Sequence, residues 1–127
     1  MWLIIDGNNV IKSSAKTAPL RGKPFEQERD RFVELLISYQ KKTDERVTVV
    51  FDAGQKSTQG KEGVEIIYSG RESTADDVIK AIVSRNLDSD ITVASSDKEV
   101  INYVKKMGQK TIGAQQIRKN LGLSSSG

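Results

Sequence analysis

Short β-branched runs alternate with amphipathic helical patterns along the chain, and most of the runs end at or near an acid or a serine. Five runs read as strands: Trp2–Asp6, Val47–Asp52, Val64–Tyr68, Ile91–Ser95 and Lys110–Ile112. The second, Val47-Thr-Val-Val-Phe-Asp52, is continuously apolar rather than alternating, as a strand covered on both faces should be. Between the runs lie helical stripes. Phe32, Leu35, Leu36 and Tyr39 fall at i, i+3, i+4, i+7; Val78, Ile79, Ile82 and Val83 form a second stripe, and Val100, Ile101, Val104 and Met107 a third. A short fourth helix is expected from Ala114 to Leu121. This alternation predicts an α/β fold with a parallel sheet and right-handed crossovers.

Local signals mark the joints. Thr74-Ala-Asp-Asp77 and Ser96-Asp-Lys-Glu99 both resemble capping boxes, with Thr74 and Ser96 as the N-caps. Gly108 stands where a C-cap would end the third stripe. Lys12–Pro24 and Ala53–Gly63 read as polar loops. With 127 residues, the expectation is one domain over 1–123 and a flexible tail over 124–127.

Two absences narrow the chemistry. The chain has no cysteine, so it holds no disulfide, no cysteine nucleophile and no cysteine-ligated metal. It has no histidine either, which removes histidine triads, histidine acid–base pairs and histidine-ligated metals. Catalysis must then rest on carboxylates, Lys, Arg, Tyr, Ser or an oxygen-bound metal. A cysteine-free chain suits a reducing cytoplasm. Met1–Ile5 reads as a core strand rather than a signal peptide, and no apolar run approaches the roughly 20 residues of a membrane span. The net charge of +3 permits a polyanionic partner without establishing one. Neither a GxxxxGK[ST] phosphate loop nor a GxGxxG fingerprint occurs.

In an open parallel sheet, ligands bind outside the carboxyl ends of the strands. Asp6 ends the first run, Asp52 the second, and Asp97 follows the fourth by two residues. Asp76 and Asp77 open the helix before the fourth run. With strand order 3-2-1-4-5, Asp6 and Asp97 would face each other and Asp52 would lie one strand away. Carboxylates gathered in one cleft repel each other and raise each other's pKa unless a cation compensates. A hard divalent cation with oxygen ligands answers that need and can promote attack of water on phosphorus.

Each residue also has a plainer reading. Asp76, Asp77 and Asp97 would favour helix N-termini, and Asp77 could close a capping box. Asp52 could be a turn former, and Asp6-Gly7 an ordinary turn. The shared edge makes the group more informative than its members. Asn8 could orient a water or a phosphate at such a site, or simply form a turn. Ser95 and Ser96 could bind phosphate or ribose, although Ser96 is read first as a cap. Arg21, Lys23, Lys56, Lys61 and Arg71 lie in loops expected to flank the cleft and could neutralise phosphates. Tyr68 is the best stacking candidate, with burial of its ring the competing fate.

The segments Ile4-Ile-Asp-Gly-Asn-Asn-Val-Ile11, Val49-Val-Phe-Asp-Ala53, Ser73-Thr-Ala-Asp-Asp-Val-Ile79 and Thr92-Val-Ala-Ser-Ser-Asp97 occur in the order and spacing of the NYN domain. The chain resembles its YacP-like group, relatives of PIN-domain nucleases, from Trp2 to about Leu121. The resemblance implies a three-layer α/β/α sandwich with a mostly parallel central sheet and an acidic pocket dependent on Mg²⁺ or Mn²⁺. It implies endonucleolytic cleavage of single-stranded RNA, in some members of mRNA on the ribosome. Asp6, Asp76, Asp77 and Asp97 match the acidic motif positions, Asn8 the polar residue after the first Asp, and Asp52 the Phe-Asp-Ala motif. Asp6, Asp97 and Asp76 are the expected metal ligands. Ser95 stands where the family commonly has Thr, and Ser73 where it often has Glu; neither change removes a ligand. Two other readings compete. One is a binding module for RNA or the ribosome that does not cut. The other is a receiver domain phosphorylated on Asp52 with Lys110 beside it, which the count of strands before Asp52 disfavours.

Overall fold

The computed structural model of the chain describes residues 1–12 and 25–123. Its centre is a six-stranded sheet formed by β1 (Trp2–Asp6), β2 (Arg46–Phe51), β3 (Ser57–Lys61), β4 (Val64–Tyr68), β5 (Ile91–Ala94) and β6 (Lys110–Ile112), in the order β3-β4-β2-β1-β5-β6. All neighbours pair in parallel except β3 and β4. Setting β3 aside, the order is the expected one, and β1 and β5 are neighbours.

The two-residue period of the strands sorts their side chains into two layers. Leu3, Ile5, Val47, Val49 and Phe51 pack against α1 (Gly7–Lys12), α2 (Phe25–Thr43) and α5 (Ala114–Asn120). Trp2, Ile4, Val50, Ile91 and Val93 pack against α3 (Ala75–Arg85) and α4 (Lys98–Lys106). Helices thus cover both faces, which explains why the central strands are apolar at almost every position. No helix among the described residues is long and apolar enough to cross a membrane.

Three readings of the sequence are corrected. The stretch read as the loop Ala53–Gly63 contains β3, an edge strand with no buried residue, turned back by Glu62 and Gly63 at φ 46° and 92°. Positive φ at both turn residues is the hairpin geometry that matches strand twist. Asp6-Gly7-Asn8-Asn9 is not a free turn, because α1 begins at Gly7 directly after β1. A Cβ on Gly7 would lie 2.5 Å from the Phe51 ring, so only glycine lets α1 start this close to β2. The N-cap of α4 is Asp97 rather than Ser96. The expectations for Arg21, Lys23 and the 124–127 tail lie outside the described residues.

Candidate active site at the carboxyl edge of the sheet

Strand alternation decides which way each strand-end residue points. Asp6 continues the Trp2, Ile4 series and Ser95 the Ile91, Val93 series, so both face the α3/α4 layer. They meet there: Ser95 Oγ donates to Asp6 Oδ2 at 3.0 Å and accepts from the Asp97 N–H at 3.1 Å. Asp6 is 4% exposed. Its burial is the main force that lifts its pKa to about 6; the bond from Ser95 opposes the rise, the charges of Asp76 and Asp97 add to it, and the Asn9 N–H opposes it.

Two helix N-termini converge beside this buried carboxyl. Thr74 Oγ1 accepts from the Asp77 N–H and Asp77 Oδ2 accepts from the Thr74 N–H, both at 3.2 Å, completing the capping box at α3. Asp97 Oδ1 accepts from the N–H groups of Glu99 and Val100 at the start of α4. The result is a group in which Asp76, Asp97 and Glu99 each offer a carboxylate oxygen within 4.8 Å of the others. Burial and the charges of Asp97 and Glu99 raise the pKa of Asp76, while Lys80 opposes them. Lys80 Nζ lies 3.0 Å from Glu99 Oε1 and partly compensates the group's charge.

Three carboxylates at this spacing, with Asp6 behind them, fit a hard divalent cation. Such an ion takes oxygen ligands, and its charge would favour the ionised carboxylates that burial first, and mutual repulsion second, disfavour at Asp6 and Asp76. The expected ligands are therefore distributed unevenly. Asp76 and Asp97 are in the group, Asp6 is its buried neighbour, and Asp77 faces the cap. Glu99 was missed, because it reads as the closing residue of a box headed by Ser96. Once the cap moves to Asp97, Glu99 falls in the first helical turn beside it.

The other expected residues occupy the same edge in different roles. Asn8 Oδ1 accepts from the Asp52 N–H at 3.0 Å and Asn9 Oδ1 from the Ser96 N–H at 2.8 Å. The two asparagines thereby tie the end of β1 to the ends of the strands on either side. Asp52 is exposed, and its Oδ1 accepts from Ser69 Oγ. Ser96 points to the opposite face from Ser95, where its Oγ accepts from the Ala114 N–H at 3.0 Å. Lys56 and Arg71 are exposed and line a cleft of about 750 Å³ together with Gly70 and Glu72. Lys61 is not at this edge: it pairs with Val64 at the start of β4, and its Nζ is 3.2 Å from Glu34. Tyr68 is half-buried and stacks on Phe51 at 5.8 Å, with the Arg29 guanidinium over both rings, so its face is covered by packing.

Known proteins show the same arrangement of chain. The family model described as the YacP-like NYN domain matches residues 3–126. A Bacillus subtilis (strain 168) protein named "Uncharacterized protein YacP" is 35% identical over 101 residues, which are 75% of this chain. The chain spans 59% of that relative's length. The crystal structure of Rae1 (YacP) from Bacillus subtilis superposes with a TM-score of 0.80 at 29% identity, covering 97% of this chain and 74% of that one. A single-substitution variant of Rae1 gives 0.79 at 28% identity, covering 97% and 75%. On sequence and on topology, the chain belongs to the YacP-like NYN domain family.

Proposed function

We propose that the protein is a divalent-metal-dependent endoribonuclease that cuts single-stranded RNA. The observation that carries this reading is the meeting of Asp76, Asp97 and Glu99 within 4.8 Å beside the buried Asp6, in a chain with no histidine or cysteine to do other chemistry. Membership of a family related to PIN nucleases supports the same reading. Asp6, Asp76 and Asp97, joined by Glu99, would hold Mg²⁺ or Mn²⁺. Such an ion, when bound, supplies electrostatic stabilisation for attack of water on the scissile phosphate and for the departing oxygen.

The chain's own groups supply the positioning. Ser95 and the Asn9 N–H fix the Asp6 carboxyl, and the Glu99 and Val100 N–H groups fix Asp97 Oδ1. Asn8 and Asn9 hold the neighbouring strand ends in register with both. Lys56 and Arg71, with Arg21 and Lys23, would meet phosphates of the strand. Products would carry 5′-phosphate and 3′-hydroxyl ends. The natural substrate would be mRNA on the ribosome, in the cytoplasm.

The test is cleavage of a long unstructured RNA at graded Mg²⁺ and Mn²⁺, beside an EDTA lane and the Asp97→Asn protein. Cuts that need metal and vanish in the variant support the reading. Equal cutting by the variant, or no cutting on free RNA and on translating ribosomes alike, would overturn it.

A further inference from the structure

The face of the sheet edge opposite the acids carries a second polar cleft. It encloses about 400 Å³ between α1, the β5–α4 connection and α5, and is lined by Asn8, Asn9, Lys12, Ser96 and Gln115. We infer that this cleft is a subsite for a backbone phosphate of the RNA strand, flanking the phosphate that is cut. The inference rests on the nuclease reading for its substrate and on independent geometry for its site.

The donor set carries it. The Asp52 and Ser96 N–H groups can only donate, so the oxygens of Asn8 and Asn9 must face them. Each side-chain Nδ2 is thereby turned away from the backbone it ties, and neither has a partner among the described residues. Ser96 Oγ accepts from the Ala114 N–H, which leaves its hydroxyl proton to be donated elsewhere. Lys12 adds an ammonium and Gln115 an exposed amide. Among the described residues no carboxylate lines the cleft. A lining that donates almost everywhere selects an acceptor-rich anion, and Lys, Ser, Asn and Gln are the side chains that contact phosphate in nucleic-acid complexes.

The walls are tied before any ligand arrives. The buried Arg118 on α5 donates from Nη1 to the carbonyls of Val10 and Ile11 on α1, at 3.1 and 3.3 Å. Ser96 holds the first N–H of α5. The Asn8, Asn9 and Ser96 donors therefore need little ordering on binding, which favours affinity. Ser96 and Asp97 are adjacent in the chain, so one strand crossing the edge could meet both sites. The acids repel a phosphate unless a cation intervenes, whereas this cleft attracts one without help. Binding through it should not require metal.

The test is fluorescence anisotropy of a labelled unstructured 12-nucleotide RNA in EDTA, over a series of salt concentrations. Gln115→Glu puts a carboxylate at an exposed helical position in the cleft and should weaken binding about tenfold. Lys12→Ala should lower the slope of log K against log salt by about 0.7, the value of one phosphate contact on a single strand. Asp97→Asn should bind at least as tightly as the parent protein. Wild-type affinity and slope in both cleft variants would overturn the inference while leaving metal-dependent cleavage, and hence the nuclease reading, intact. Absence of binding in EDTA by the parent protein would overturn it as well. Binding weakened by Gln115→Glu in a protein that never cuts would keep the subsite and remove the nuclease.

Discussion

The starts of α3 and α4 meet at the same site but are fastened in different ways. At α3 the cap belongs to Thr74 and Asp77, which bond each other's N–H groups and leave Asp76 outside the cap. At α4 a single residue does both jobs. Asp97 Oδ1 takes two helix N–H groups, and its carboxylate also faces Asp76 and Glu99. On the proposed function, folding and chemistry are thus divided between residues at α3 and fused in one residue at α4. Substitutions at the two starts should separate these roles in one case and not in the other.

Asp97→Ala is expected to have the largest effect, because it strikes both. Loss of the cap should cost about 0.5–2 kcal/mol in chemical denaturation, and loss of the carboxylate should lower the cleavage rate about a hundredfold or more. Asp97→Asn sharpens the comparison: asparagine caps as well as aspartate, so cleavage should fall equally with little change in stability. If both variants unfold at the parent's denaturant midpoint, the cap contributes nothing and the fused role is wrong.

Asp76→Asn should match Asp97→Asn in cleavage but differ from Asp97→Ala in stability. The Asp76 carboxylate caps nothing, and burial together with Asp97 and Glu99 already disfavours its charge. Neutralising it should leave the metal-free protein as stable or more so at pH 7. A clear loss of stability would show that Asp76 supports α3 after all.

Asp6 allows a test by pH alone. Its folded pKa of about 6 lies above the ordinary 3.8, so the fold favours the protonated carboxyl. The associated stability is fully present below about pH 4, declines as pH rises through 6 and is gone above it. The difference corresponds to about 3 kcal/mol for an isolated group. Metal-free protein should therefore lose stability across this window, and Asp6→Asn should flatten the curve. A saturating divalent cation should flatten it too, by compensating the same charge. A curve unchanged by Asp6→Asn would mean that Asp6 is not the group titrating in this window, and one unchanged by the cation that the ion does not compensate its charge.

How much of this was legible in the sequence depended on burial. β1, β2, β4, β5 and β6 are visible because their apolar residues face helices on one or both sides. β3, Ser57-Thr-Gln-Gly-Lys61, carries no such signal, since an exposed edge strand buries nothing and is specified by its pairing with β4. The only local hint was Glu62-Gly63 between it and β4. α1 has six residues, too few to show a period, and its start depends on Gly7 clearing a ring 44 positions away in sequence. At the site, strand order alone brings Asp6 and Asp97 together; Asp76, on a helix rather than a strand end, is set beside them by the family resemblance, with Asp77 as its alternative. Glu99 could not, because the register of α4 turned on which of two adjacent residues, Ser96 or Asp97, was the cap. Ser96 is drawn to Ala114 instead, a partner 18 residues away that local spacing does not reveal.

Thr74→Ala has the smallest expected effect and completes the comparison from the folding side. It removes the hydroxyl that accepts the Asp77 N–H and leaves the Asp77 carboxylate to hold the Thr74 N–H alone. The loss should be about 1 kcal/mol. Cleavage should persist near the parent rate once the protein is folded, because Asp76 remains on the first turn of α3 and neither of its neighbours in the group has moved. Asp77→Ala should behave in the same way, since its carboxylate faces the cap and not the group. A hundredfold loss of cleavage in Asp77→Ala at unchanged stability would reverse the assignment: Asp77 would then be acting on the RNA, and α3 would fuse folding and chemistry as α4 does.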